Sequence, residues 1–328
     1  MMTNAHPDRY VLISVNPKAG RKSPRERANR LMKTLQDKGF SVEMHTDLDL
    51  VSNRANELFA EDKLRALVGV GGDGTASELT NRTAPGVPIT LLPSGTANLI
   101  AKYLKIPFDP GKLAEMIETG KTITLDAGRA NDRLFLVMVS AGIDADVVSR
   151  VHSAREESYR LNTKKGAHIS YLSYIKPTFK SIGSYKYPKI VTELLDTPDK
   201  RKITGKWSFV FNLPRYGWGL PLVPKCVGLD QKLDYCIFQG GKLCMALINV
   251  FFAQLGGMHR FLPNAKIGQN TRFKLVVDSE SPDVTVPYQI DGDPGGNLPV
   301  EIETIPSRFT VLAPRHIVDK RRRDCQKR

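Results

Sequence analysis

Two stretches of the chain carry residues whose types and spacing could do chemistry. The first is Gly69-Val70-Gly71-Gly72-Asp73-Gly74-Thr75. Glycines between a strand and a helix let the backbone turn tightly and approach a bulky anion without Cβ clashes. The helix start that follows adds N–H groups and a positive dipole end, which suit phosphate. The second stretch is Tyr288-Gln289-Ile290-Asp291-Gly292-Asp293-Pro294. On a strand end, aspartates at i and i+2 point to the same side, one placed for a metal and one for a proton. The same letters also describe a plain turn built from Asp-Gly and Asp-Pro. Phosphoryl transfer asks for phosphate cradling, a divalent metal, and a carboxylate near the acceptor hydroxyl.

The glycine turn can be tested against known patterns. A P-loop needs Gly-x-x-x-x-Gly-Lys-Ser/Thr, and Gly20-Arg21-Lys22-Ser23 lacks the upstream glycine. The dinucleotide pattern G-x-G-x-x-G matches Gly69, Gly71 and Gly74 by letter. It wants an acidic residue roughly 20 positions on, where this chain has Leu91-Leu92-Pro93-Ser94. Asp73 inside the loop would also repel a pyrophosphate unless a metal or ribose hydroxyl intervenes. The pattern argues poorly for hydride transfer.

The elements that must position these residues alternate along the first third of the chain. Tyr10–Val15 reads as a strand ending in Asn16-Pro17-Lys18-Ala19-Gly20. Ser23-Pro24-Arg25-Glu26 is a capping box with proline at the first helical position. Ala28, Leu31, Met32 and Leu35 follow at helical spacing until Gly39. A strand over Val42–His45, a helix with Val51, Ala55, Leu58 and Phe59 on one face, and a strand over Leu64–Val68 lead into the glycine turn. A fourth strand, Pro88–Leu92, runs into Pro93-Ser94-Gly95-Thr96-Ala97-Asn98. This alternation predicts a Rossmann-like α/β domain with a parallel sheet. Ligands of such sheets bind beyond the carboxyl ends of the strands. Asn16, Asp73, Thr75, Gly95 and Thr96 all fall at such ends.

From about Leu134 the texture changes to short β-rich runs: 134–140, 190–195, 207–212, 233–238, 273–277, 284–290 and 309–312. Turn residues between most of them predict an antiparallel β-sandwich, interrupted by a helical insertion over 153–182. The expected boundaries are 8–130 for the α/β domain and 131–305 for the β-rich domain. Residues 306–318 would pack back on the first domain, and 319–328 would form a disordered basic tail.

The chain has 328 residues, enough for two cores, and a formal net charge of +14. That balance attracts polyanions: nucleic acid, an anionic membrane surface or phosphorylated substrates. Cys226, Cys236, Cys244 and Cys325 form no CxxC and read as reduced thiols of a cytosolic protein. No secretory h-region follows Met1. The most apolar run, Leu243–Leu255, is too short to span a bilayer. Contact with lipid is therefore expected from the surface. Between Arg150 and Lys189 nine Lys/Arg face Glu156 and Glu157, a net of +7 with tyrosines interleaved. This cluster suits a solvated face or a membrane-surface patch. Nucleic acid is not expected, since no RRM, KH or helix-turn-helix pattern occurs.

The chain resembles the bacterial diacylglycerol-kinase-like lipid kinases, of the superfamily that also holds sphingosine, ceramide and NAD kinases. Gly71–Thr75 match its GGDGT signature, and Asn16–Gly20 its NPxSG loop. Thr46 matches its first nucleotide-contacting threonine, and Pro93–Asn98 resemble PxGTxN. Asp126-Ala127-Gly128 resembles D-x-G, and Tyr216-Gly217-Trp218-Gly219 with Pro224 resembles Y-G-G-G…P-x-A. Cys226–Asp234 resembles D-D-G-x-L-D, and Gln289–Asp293 resembles Q-x-D-G-E.

The resemblance implies an ATP-dependent lipid kinase using Mg²⁺. Asn16, Thr46, Gly71, Gly72, Asp73, Gly74, Thr75, Gly95, Thr96 and Asn98 would bind nucleotide. Asp73 and Asp126 would belong to a metal–water network. Asp230, with carbonyls of Val227 and Lys232, would hold a structural Mg²⁺. Asp291 would be the general base, with Asp293 in place of the family's Glu. The chain departs from the family at Leu99, where an Asp is usual, and at Leu229 and Gln231 in the metal loop. The expected partner is a lipid substrate at an anionic membrane surface, with a homodimer left open. The expected setting is the cytoplasm, on the inner face of the membrane. An NAD kinase-like enzyme, which lacks its N-E-x-x loop here, and an impaired nucleotide- or lipid-binding protein are the alternatives.

Overall fold

The computed structural model describes residues 9–15, 24–160, 185–217, 219–240, 248, 251–255, 257–279 and 284–326. These divide into two compact units, Met1–Leu125 with Ser307–Arg328, and Asp126–Pro306.

The first unit is an α/β layer structure. Its strands are β1 (Tyr10–Val15), β2 (Ser41–His45), β3 (Leu64–Gly71), β4 (Ile89–Pro93), and the first part of β5 (Lys121–Ala130). They pair in parallel as β2-β1-β3-β4. Helices α1 (Pro24–Asp37), α2 (Leu48–Ala60), α3 (Asp73–Arg82), α4 (Leu99–Tyr103) and α5 (Pro110–Thr119) connect them. β3 is buried over most of its length because helices cover a parallel sheet on both faces. The α1 stripe Ala28, Leu31 and Leu35 is fully buried. Burying each leucine contributes about 1.5–3 kcal/mol. Gly39, at φ 84, ends that helix region in the left-handed conformation. Phe59, expected on one face with the buried Val51, Ala55 and Leu58, is 37% exposed and lies over Gly86.

The tail expectation is overturned. After β16 (Val300–Ala313), residues Arg315–Gln326 form a helix, α7, rather than disordered chain. Ile317 and Val318 are buried, which anchors the helix by apolar area. Its basic residues also find partners. The Arg321 guanidinium stacks over the Tyr103 ring at 3.8 Å and donates to the Tyr103 carbonyl at 2.8 Å. Arg322 donates to the Thr122 carbonyl, and Lys121 pairs with Asp319.

The second unit begins within β5 and continues through β6 (Arg133–Phe135), β7 (Met138–Ala141) and helix α6 (Ile143–Arg160). Then come β8 (Ile190–Leu194), β9 (Lys202–Gly205), β10 (Trp207–Phe211) and β11 (Leu233–Phe238). β12 (Ala265–Asn270), β13 (Arg272–Val277), β14 (Pro287–Ile290) and β15 (Asp293–Asn297) follow. Six strands pair antiparallel in the order β12-β11-β10-β7-β14-β15. A second antiparallel set, β16-β13-β8-β9, faces them. Their inner faces share one core that includes Val139, Val210, Ile237, Phe273, Leu275 and Ile302. The single expected strand 134–140 is two, β6 and β7. Helix α6 begins ten residues before the expected insertion, and residues 161–184, with four of the nine Lys/Arg of the basic cluster, lie outside the described residues.

Candidate active site

In the first unit the carboxyl ends of β1, β2, β3 and β4 lie along one sheet edge, as parallel pairing requires. The glycine turn follows β3. Gly71 lies under Thr75, whose Oγ1 is 1.9 Å from where a Gly71 Cβ would stand. The next loop is pressed against the first: the Ser94 N–H donates to the Gly71 carbonyl at 2.9 Å. A Cβ on Gly72 would stand 3.0 Å from the Gly95 Cα, and one on Gly95 would stand 2.7 Å from the Gly72 Cα. Backbone meets backbone here, so only glycine fits on either side. The two loops form one cradle, next to the start of α3.

Asp73 ties the cradle together. Its Oδ2 accepts the Leu99 N–H at 2.9 Å and its Oδ1 accepts the Ile100 N–H at 2.8 Å. α4 has no side-chain cap of its own. Asp73 therefore caps a helix that starts 26 residues downstream. Burial pushes the Asp73 carboxyl above the usual carboxylate range, while the Ile100 and Leu99 amides pull the other way. Asn98 sits at φ 50, a left-handed conformation that Asn tolerates. Its side-chain amide takes the Gly95 N–H and donates to the Gly95 carbonyl. Asn98 thus sets the loop's shape from a position 5% exposed.

Thr46 lies at the tip of β2, two strands from the cradle. It lines a cavity of about 550 Å³ with Val15, Asn29, Met32, Met44 and Leu50. Asn16 lies outside the described residues. Arg27, missed in the sequence, donates to the Pro93 carbonyl at 2.8 Å and to the Phe108 carbonyl. Burial lowers its guanidinium below the usual arginine value.

In the second unit, Asp291 and Gly292 have φ of 50° and 90°, and Ile290 pairs with Asp293 across them. They are the two central residues of a tight hairpin, for which Asp-Gly is a favoured pair. Asp291 and Asp293 therefore do not share the side of an extended strand. Left-handed backbone at Asp291 turns its carboxylate toward the β6–β7 link. There it accepts N–H groups of Leu136 at 2.7 Å, Val137 at 2.9 Å and Met138 at 2.9 Å. Asp293 instead pairs with Arg133 at 3.1 Å and His152 at 3.5 Å.

Behind the hairpin runs a buried polar chain that the sequence did not reveal. The Gly292 N–H donates to Gln289 Oε1 at 2.7 Å, and Gln289 Nε2 donates to Ser140 Oγ at 2.7 Å. Ser140 donates to Asp144, which also accepts the Trp207 indole N–H at 2.7 Å. Asp144 is 5% exposed. Burial pushes its carboxyl above the usual range, against the pull of its hydrogen bonds to Ser140 and Trp207. Asn212, fully buried at the end of β10, donates to the carbonyls of both Asp126 and Leu136. It fixes the link whose amides hold Asp291. The signal was one polar letter ending the apolar run Trp207–Phe211.

Asp126, in β5, is hydrogen-bonded to the loop after β10. Its N–H donates to the Gly228 carbonyl at 2.8 Å, and its Oδ2 accepts the Gln231 N–H at 2.8 Å. In this loop Asp230 Oδ2 accepts from Gln269 at 3.0 Å, while its Oδ1 is buried without a hydrogen-bond partner. Lys232 is exposed and Val227 buried. Among the described residues no three His, Cys, Asp or Glu side chains cluster as a metal site.

The sequence profile of the diacylglycerol kinase catalytic domain matches residues 10–130. Residues 10–130 thus resemble a diacylglycerol kinase catalytic domain. The two glycine loops and the Asp73 tie lie inside the matched stretch. Diacylglycerol kinase of Staphylococcus carnosus is 24% identical over 322 residues, covering 93% of this chain and 95% of that one. The fold agrees with a candidate diacylglycerol kinase from Bacillus anthracis, at TM-score 0.70 and 18% identity over 97% and 99% of the two chains. An NAD kinase from Archaeoglobus fulgidus, solved with ATP, shares the fold at TM-score 0.50 and 10% identity over 97% and 99%. The expected α/β domain followed by an antiparallel β-rich domain is the fold observed.

Proposed function

We propose that the chain transfers the γ-phosphate of ATP to the hydroxyl of a membrane lipid, with diacylglycerol as the default acceptor. One observation carries this reading. A stretch similar to the diacylglycerol kinase catalytic domain carries two glycine loops set so close that a Cβ on Gly72 or Gly95 would meet the facing backbone, a shape suited to cradling phosphate. ATP as donor is supported by that cradle and by the ATP held by the fold relative from Archaeoglobus fulgidus. The β- and γ-phosphates would lie on Gly71–Thr75, Gly95 and Thr96. Met32, Met44 and Leu50 offer apolar surface for the base in the cavity that includes Thr46.

Mg²⁺ fits two places to different degrees. Asp73 offers one carboxylate whose oxygens already accept amides. A cation there would take further ligands from phosphate oxygens and water, as Mg²⁺ commonly does. At the loop 226–232, the unpartnered buried Asp230 Oδ1 is the kind of oxygen a structural cation would satisfy. Carbonyls of Val227 and Lys232 would complete that set. When bound at Asp73, Mg²⁺ supplies neutralisation of the triphosphate charge.

The chain's own groups do the rest. Amides at the start of α3 hold phosphate oxygens. Asp291 takes the acceptor hydroxyl proton, and three backbone amides orient it for that task. Asp293 acts indirectly, by holding Arg133 and His152 beside the hairpin. No described helix is long and apolar enough to cross a membrane, which agrees with approach to lipid from the surface.

The test is radiolabelled ATP with vesicles containing diacylglycerol, phosphatidylglycerol or a sphingoid base. Label in one lipid supports the proposal. Label on added NAD would replace it with a nucleotide kinase, and nucleotide binding without transfer to either would leave a binding protein.

A further inference from the structure

Single exposed apolar side chains are ordinary on any soluble surface. Here they are not scattered. Of eight large apolar residues exposed among the described residues, five fall between positions 248 and 261: Ile248, Phe251, Leu255, Met258 and Phe261. Phe251 and Leu255 stand one helical turn apart, and the Leu255 N–H donates to the Phe251 carbonyl. Met258 and Phe261 are the first and last residues of a short 3₁₀ helix, whose i and i+3 side chains eclipse. Phe261 is 71% exposed.

The segment is fixed from beneath. Ala253 and His259 are fully buried, and His259 Nε2 lies 2.9 Å from the Leu222 carbonyl. Gly257 packs so close that a Cβ would stand 3.0 Å from Pro224 Cγ. The apolar side chains are thus presented outward by an anchored backbone.

Charge says what covers them. Between Asp234 and Asp278 the chain carries Lys242, Arg260, Lys266, Arg272 and Lys274 and no acidic residue. Lys274 pairs with Glu301, while Arg260 and Lys266 are exposed. The Arg260 guanidinium lies 4.7 Å from the Phe261 ring centre. A cation beside an outward aromatic matches the headgroup boundary, where the ring enters the acyl region and the charge stays at the phosphates. We propose that the Phe251–Phe261 face docks on an anionic lipid bilayer. The lipid-kinase reading supplies its purpose, and this face sets how the chain meets its substrate.

The test uses the full chain without nucleotide, sedimented with phosphatidylglycerol/phosphatidylcholine vesicles. The double variant F251S/F261S should bind about tenfold or more weakly, from the lost apolar area. Arg260→Glu should weaken binding most at low salt. Phe59→Ser, an exposed aromatic in the other unit, should bind as wild type. As a second measurement, the added indole of Phe261→Trp should be quenched by brominated acyl chains. Unchanged sedimentation of F251S/F261S, or an unquenched indole, overturns the proposal. So does a wild-type dimer that F251S/F261S converts to monomer without altering vesicle binding. Because binding is read without ATP, a chain that docks here yet phosphorylates no lipid sinks only the kinase reading. One that phosphorylates vesicle lipid and never docks through this face sinks only this one.

Discussion

The Leu99 N–H donates to Asp73 Oδ2 across 2.9 Å, and this bond joins the two glycine loops after β3 and β4. The resemblance marks position 99 as a place for a second acid, and the chain has a leucine that is 8% exposed. What remains at Leu99 is its backbone, and Asp73 uses it. Asp73→Asn keeps one acceptor oxygen and should cost about 1 kcal/mol of stability, with Asp73→Ala costing up to about 2 kcal/mol. Urea unfolding measures this. Unchanged midpoints would show that the cap does not stabilise the domain.

The Gly72–Gly95 approach leaves no room for a side chain. Gly72→Ala and Gly95→Ala should each force the loops apart, costing about 1–3 kcal/mol. ATP should then raise the melting temperature far less than in wild type. A full ATP-induced shift in either variant would remove the cradle from the nucleotide site.

Arg321→Ala removes a cation stacked on Tyr103 and a bond to its carbonyl. The expected loss is about 1–2 kcal/mol in thermal or urea unfolding. No loss would return residues beyond 319 to the free tail that their composition suggests.

Asp144 has its carboxyl raised by burial. A group raised in the folded state contributes stability fully below its unfolded value, near 3.8, and that contribution disappears as pH rises through the folded value. Asp144→Asn lacks this loss. Its melting temperature relative to wild type should therefore climb as pH rises from acid toward neutral. Parallel curves would mean that Asp144 does not carry the shift.

The parallel sheet was legible chiefly because β3 and β4 are short, mostly apolar runs ended by Gly71 and Pro93. The glycine cradle was legible for the same reason, since a close backbone approach admits one residue type. Of the two readings of the hairpin, the Asp-Gly turn is the one observed and the same-side pair of aspartates is not, because two-residue spacing means one side only in extended backbone and Asp291 lies at φ 50. Asp144, Asn212 and Asp73 could not be matched to their partners from the sequence, though Asn212 stood out as a polar letter after Phe211. Their partners lie 63, 86 and 26 residues away along the chain, and no local pattern encodes such pairings. The tail helix was hidden because its charged letters outnumber Ile317 and Val318, which anchor it.

The central claim is that Asp291, set in place by three amides, removes the proton from the acceptor hydroxyl. Its direct measure is phosphate transfer from radiolabelled ATP to lipid by Asp291→Asn, beside the ATP-induced melting shift of the same variant. The account predicts a rate reduced by roughly 10²–10⁴ with the melting shift retained. Transfer at the wild-type rate would contradict it.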